Sequence, residues 1–373
     1  MLTVLDPTGT VTGFQSKLDE LLQEPTIKGV LILACDANNF TPDDVDEILQ
    51  SAKVPLFGGI FPEIIFGSEK FTQGTAMMGL TVAPNVQVIA DLSDMSINYD
   101  GAIDEKFPTI GTEQTMFVFV DGLAKRISAL IDGLFNVFGL QLNYVGGGAG
   151  SLSFQQKPCL FTNQGLLQDS AVLVLADLAS GVGVSHGWQT VSGPFQVTEA
   201  DRNIIKSLNW QPAFDVYRQV VEAAAGKTFT ADNFFELAKG YPFGINKIGG
   251  EKIVRDPITR SDAGALVCVG EVPAGCYVDI LSGEPTALIA AATNALHLGQ
   301  TALATPLTES TTLLIDCISR VLFLEEQFSE EVKAVFDGIH PLVGALTLGE
   351  IANSGRDYLE FYNKTVVVGV LEG

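Results

Sequence analysis

The chain has little positive charge. Its 21 lysines and arginines stand against 44 aspartates and glutamates, a formal net charge of −23. The acids are spread along the sequence, so the surface field repels nucleic-acid phosphates and anionic membranes, and nucleic acid is not an expected partner. Cysteine is scarce too. The five thiols, Cys35, Cys159, Cys268, Cys276 and Cys317, contain no CxxC pair, which speaks against a disulfide framework and against zinc. The three histidines, His186, His297 and His340, lack ligand spacing and HExxH is missing, so no metal is expected. A GxGxxG with a downstream acid is missing, so a dinucleotide cofactor is not indicated. No apolar run reaches bilayer length. The start, MLTVLDPTGTVTG, lacks the basic region and small-residue cleavage pattern of a leader, so the expectation is a cytoplasmic protein without membrane insertion.

What is present is core-forming material. Of the 373 residues 47% are hydrophobic and 23 are phenylalanine, enough for two domains, placed at residues 1–200 and 201–373. KGVLILACD, QTMFVFVDG and TTLLID read as buried strands. Each is followed by a helical segment, a second strand, an excursion and another apolar strand. This strand-helix-strand-strand order therefore occurs three times, the last spanning Thr311 to Gly369. Its helical segment, CISRVLFLEEQFSEEVKAVF, is read as one helix. Thr41 and Pro42 mark the start of an earlier helix, and EPTALIAAATNALHLG is a helix with a small-residue face that implies close packing. GVGVSHGWQTVSGP, rich in glycine and serine, reads as an irregular or hairpin segment. The predicted fold class is α+β (mixed α/β): two sandwich-like domains whose antiparallel-rich mixed sheets are covered by helices.

Candidate site residues sit at the boundaries of these elements. Cys317 and Arg320, one helical turn apart in DCISR, can face one sheet mouth, where Arg320 offers a planar fork to a carboxylate or phosphate. The alternative for Arg320 is a salt bridge to Glu350 or another acid. Glu350 and Asn363 flank the next opening and could hold an amine and a polar atom. In SHGWQ, His186 supplies a switchable proton donor and Trp188 stacking area. Glu63 is the counterpart of Glu350 in the first repeat. In VGGGAG, Gly147 and Gly148 fit either ligand contact through the backbone or a close approach of two backbones.

Taken together, GGIFPEIIFG, VGGGAGS and HGWQ in the first half, with CISR, PLVGALTLGEIANSG and NKTVVV in the second, resemble the FIST family, with its N-terminal and C-terminal FIST domains. The resemblance implies a soluble intracellular sensory or signal-transduction module that binds a small ligand, an amino acid or related metabolite. The matching positions are Gly58, Gly59, Glu63, Gly146 to Gly150, His186 to Trp188, Cys317, Arg320, Gly349, Glu350 and Asn363. Tyr362 stands where the family tends to have a histidine, so a ligand role there would be aromatic or phenolic rather than imidazole chemistry. The resemblance further implies a separate signalling protein as partner, with homo-oligomer formation left open. Competing readings are an enzyme acting on a small metabolite through Cys317, and a pocketless protein-protein scaffold.

Overall fold

The computed structural model describes residues 1–111, 114–247, 251–303, 310–353 and 357–373. Long apolar runs decide its centre. Gly29–Cys35, Thr115–Asp121 and Thr311–Cys317 each form a seven-residue strand buried at every position, as a strand covered on both faces must be. Each is the middle of a larger unit than the sequence predicts, because a further strand and helix precede it.

The first unit runs β1 (Leu2–Asp6), α1 (Val11–Leu22), β2 (Gly29–Cys35), α2 (Pro42–Ser51), β3 (Leu56–Phe61), the hairpin β4 (Glu63–Phe66) and β5 (Glu69–Phe71), and β6 (Thr75–Leu80). The second repeats it: β7 (Asn85–Ile89), α3 (Tyr99–Lys106), β8 (Thr115–Asp121), α4 (Ile127–Phe138), β9 (Asn143–Ala149), the hairpin β10 (Leu160–Thr162) and β11 (Gly165–Leu167), and β12 (Ala171–Ala176). The third opens with β13 (Ser180–Ser185) and is then interrupted. An insertion supplies β14 (Gln189–Asp201), β15 (Ile204–Leu208), β16 (Gln211–Pro212), α5 (Ala213–Ala225), α6 (Phe234–Ala238), β17 (Phe243–Ile245), β18 (Ile253–Arg255), β19 (Pro257–Arg260), β20 (Leu266–Cys268) and β21 (Tyr277–Ser282). The unit resumes with α7 (Pro285–Ala302), β22 (Thr311–Cys317), α8 (Ile318–Leu324), α9 (Phe328–Val335), β23 (Leu342–Thr347), the hairpin β24 (Glu350–Ala352) and β25 (Glu360–Tyr362), and β26 (Val366–Leu371).

The three sheets have one plan: β1-β6-β2-β3-β10-β11, β7-β12-β8-β9-β24-β25 and β13-β26-β22-β23-β4-β5. In each, two parallel central strands are flanked by antiparallel neighbours. The hairpin of each unit leaves its own sheet and completes another. That of the first unit pairs with β23, that of the second with β3, and that of the third with β9. The exchange is cyclic, so the ends of the central strands are walled by elements distant in sequence. The insertion forms a fourth sheet of its own, and β14 carries the chain across residues 200 and 201.

Two local expectations are corrected. The segment read as irregular or as a hairpin supplies β13, which pairs along its whole length with β26 and not with β14 after it. Its glycines hid it, and they are there for α7: a Cβ on Gly181 would meet the Gly299 carbonyl at 1.9 Å, and one on Gly183 the Ala295 carbonyl at the same distance. The small face of α7 is thus used for close approach to a strand. The helical segment after Cys317 is broken into α8 and α9 by a 3₁₀ turn over Glu325–Gln327. Pro42 opens α2, where the Thr41 N–H donates to Asp44 Oδ2 at 2.9 Å. Among the described residues no helix is long and apolar enough to cross a membrane.

Candidate functional site

The mouths of the second and third sheets and the insertion enclose a cavity of about 500 Å³. The turn after β8 reaches it at Gly122 and Leu123, the end of β22 at Cys317, the start of α8 at Ser319, and the turn between β25 and β26 at Asn363. The insertion closes it with Asp256, which follows β18, and with apolar groups that include Phe235, Ile258 and Val269. Leu152, Phe154 and Leu322 also line it and are 41%, 59% and 37% exposed, so the apolar wall continues onto the surface as a rim. An apolar concavity with few polar groups on its floor is the usual form of a small-molecule site. A smaller chamber of about 240 Å³ adjoins it, sharing Gly122, Leu123, Val269 and Leu348 and adding Lys125 and Arg202.

Behind the floor lies a buried network. Arg320 is fully buried, and its planar fork engages Glu331 twice, Nε at 2.7 Å and Nη2 at 2.9 Å. The remaining N–H groups donate to the carbonyls of His186 (2.7 Å), Lys364 (3.2 Å) and Leu288 (3.0 Å). Asp316 stands 3.3 Å from Nε. Burial, then the neighbouring Glu331 carboxylate, holds its carboxyl well above the usual range. Lys364, also buried, places its ammonium 3.1 Å from Asp256 Oδ2 and 5.0 Å from the centre of the Trp188 ring. The Trp188 indole N–H donates to the Lys364 carbonyl at 3.0 Å. His186 Nδ1 accepts from the Trp188 N–H at 2.8 Å, which fixes the tautomer. Burial pushes the pKa of His186 down to about 4.

Glu350 is directly behind Cys317. It accepts hydrogen bonds from Thr347 Oγ1 (2.9 Å) and the Thr365 N–H (3.3 Å), and from the Cys317 thiol. Burial outweighs these donors and pushes its pKa up to about 8. Burial and the adjacent Glu350 also raise the Cys317 thiol, the opposite of what a nucleophile requires. The folded chain therefore holds a proton on Glu350 that the unfolded chain has released, between pH 4.5 and about 8. Stability from this group is full below pH 4.5 and is lost as pH rises through 8. His186 contributes a slope of the opposite sign, confined to the interval between about 4 and 6.5. Melting scans from pH 6.5 to 8.5 lie above the His186 interval, and comparison with Glu350→Gln singles out Glu350 from the other buried acid, Asp316: the parent is expected to lose melting temperature across that window, and Glu350→Gln to lose distinctly less. A glutamine fits because its Nε2 can donate to Thr347 Oγ1, whose own proton can go to the Asp316 carbonyl at 3.3 Å. Parallel curves for the two proteins would reject this assignment.

The structure brings Cys317 and Asn363 onto the cavity wall, with Glu350 next to Cys317. Arg320, His186 and Trp188 are gathered behind it. Gly147 and Gly148 lie where the third unit's chain crosses onto β9: Gly148 exchanges backbone hydrogen bonds with Leu348 and Gly349 at 2.9 and 2.8 Å, and a Cβ on Gly147 would meet the Gly349 carbonyl at 2.7 Å. Tyr362 is buried beside a separate groove with Glu251 and Tyr358. Glu63 pairs with Lys70 at 2.7 Å on its own hairpin. Ser354 and Gly355, the end of the GEIANSG motif, fall outside the described residues. Sequence reasoning missed Asp256 and Ser319. Ser319 lies within CISR itself. Asp256 follows Arg255 in IVRDP, a charged pair ending an apolar run, which was the available signal.

Comparison with protein-family models matches residues 29–211 to the FIST N domain and residues 213–353 to the FIST C domain. No curated protein matches the chain.

Proposed function

The chain belongs to the FIST family, whose domains are sensory, and we propose that it is a signal-transduction module whose ligand occupies the cavity at Cys317, Ser319, Asp256 and Asn363. The observation that carries this reading is the cavity itself: apolar walls over a floor of four polar side chains, at the crossing of the second unit, the third unit and the insertion. An amino acid or related metabolite suits its size. Because the walls come from distant parts of the chain, a ligand there links the insertion to the two sheets, and a change in that link is what a separate signalling protein would read. The N- and C-terminal halves act as one body in this reading, since each completes sheets of the other.

Val269 touches both chambers, so Val269→Trp fills the site without altering the buried network. Thermal-shift screening of the parent against amino acids and related metabolites, neutral amides included, is expected to give a concentration-dependent rise in melting temperature with at least one of them; a ligand at 100 times its Kd adds about 2.7 kcal/mol. Val269→Trp is expected to lose at least roughly tenfold in affinity, about 1.4 kcal/mol, with its ligand-free melting nearly unchanged. Equal responses from the two proteins would remove the cavity as the site.

A further inference from the structure

The floor of the cavity has a fixed polarity, set by cations that stand behind it. Asn363 is 1% exposed and lines the cavity, and its Oδ1 accepts from Arg255 Nη1 at 3.2 Å. A guanidinium can only donate, so the amide oxygen is committed to Arg255 and the amide nitrogen is the end left for the cavity. Arg255 is otherwise held by carbonyls, those of Val254 and Phe361 at 3.0 Å and of Glu271 at 2.9 Å. Asp256 is the opposite case. It is 2% exposed, its Oδ2 is paired with Lys364, and its Oδ1 is buried with no hydrogen bond of full geometry, the Ser319 side chain on the same wall being near enough to stabilise the carboxylate. The wall therefore presents an N–H donor at Asn363, and an acceptor with hydrogen-bonding capacity to spare lies at Asp256.

Charge on this floor is already compensated. Among the described residues Asp256 is the one charged side chain on the cavity wall, and Lys364 neutralises it. A ligand carboxylate would enter without a counter-cation on the wall, and a ligand ammonium would meet a carboxylate that already has one. Burying an ionised group without a partner is costly, whereas a neutral group that accepts on one side and donates on the other satisfies both floor atoms at no such cost. Ser319 and Cys317 complete the floor, and the wall from Phe235 and Ile258 out to Phe154 is apolar.

We infer that the cavity takes a neutral molecule with an amide-type head, a carbonyl beside an N–H, on an apolar body, the carbonyl accepting from Asn363 and the N–H donating to Asp256. This rests on the cavity being the ligand site, and it names the head group that the site selects. A matched series with one body separates the possibilities: 3-phenylpropanamide, 3-phenylpropanoate, 3-phenylpropylamine and phenylalanine, titrated into the full chain by calorimetry and thermal shift. The amide is expected to bind roughly tenfold or more tighter than each charged member. Asn363→Leu is expected to erase that preference while leaving weak binding of the apolar body. If that variant fails to fold, the preference order in the parent still decides. An acid, amine or amino acid that binds as tightly as the amide overturns the inference, and so does an amide that does not bind. Loss of whichever member binds on Val269→Trp is the separate readout for the site itself, so the head-group assignment can fail while the site stands.

Discussion

Arg320→Ala is expected to cost about 3–5 kcal/mol of folding stability, the range for removing one partner of a buried ion pair and leaving the other charged and alone. That is a large share of the ~5–15 kcal/mol by which domains are stable, so a steep loss of soluble yield is expected with it. The orphaned group is Glu331, which has both oxygens on the guanidinium and is itself fully buried. Three carbonyls from three parts of the fold, His186, Leu288 and Lys364, lose their donor at the same time. Arg320→Lys is expected to recover little. An ammonium has three donors and no planar fork, and here all five guanidinium N–H groups have protein acceptors. Replacing both partners, Arg320→Met with Glu331→Leu, is expected to be markedly milder than Arg320→Ala, because no charge is left unpaired. Urea unfolding checks the series through the midpoint at constant slope. An Arg320→Ala protein that unfolds at the parent's midpoint would refute the network.

Arg320 and Cys317 are one turn apart, and the helical spacing rightly places both at the end of β22. Spacing cannot say which of two neighbours faces a cavity and which faces the core. The answer depends on Glu331, which arrives from α9 after a break in the helix, and on the carbonyls of His186 and Leu288, which are far away in sequence. Asn363 and Asp256 are a clearer case. Their meeting is produced by the insertion folding against the turn before β26, a contact that no local pattern records. The repeat was more legible. Three apolar strands of equal length, each followed by a helix and a glycine-bearing strand, are a local pattern, and the sequence shows them directly. Beyond its reach were two of the leading strands, β1 and β13 with its glycines, and the cyclic exchange of hairpins. A short strand carries no label for the edge it will join.

The threefold repeat also places a glycine at one register position in each parallel pair, and this gives the second large effect. The fourth residues of β2, β8 and β22 are Ile32, Val118 and Leu314, and their partners across the parallel pairs are Gly58, Gly146 and Gly344. A Cβ at Gly58 would come within 1.9 Å of the Ile32 carbonyl oxygen, one at Gly146 within 1.9 Å of that of Val118, and one at Gly344 within 2.3 Å of that of Leu314. The obstacle is backbone in a ladder that is hydrogen-bonded on both sides, so no side chain can turn away to make room. Each alanine must push two central strands apart, at about 3 kcal/mol or more, the upper end of the cost of overpacking. Gly58→Ala is expected to be worst, since Gly58 also has φ +137°, a region that L side chains rarely adopt. Gly344→Ala, with the widest of the three gaps, is expected to be mildest. Gly101→Ala is the control. It lies within α3, and its nearest neighbour is the flexible Asn98 side chain at 3.4 Å, so alanine there is expected to be neutral or to stabilise by up to ~1 kcal/mol. Chemical unfolding of the four variants reads the order. If Gly146→Ala unfolds with Gly101→Ala rather than far below it, the parallel pairs are not spaced as described, and the close approach cannot be the reason for the glycines.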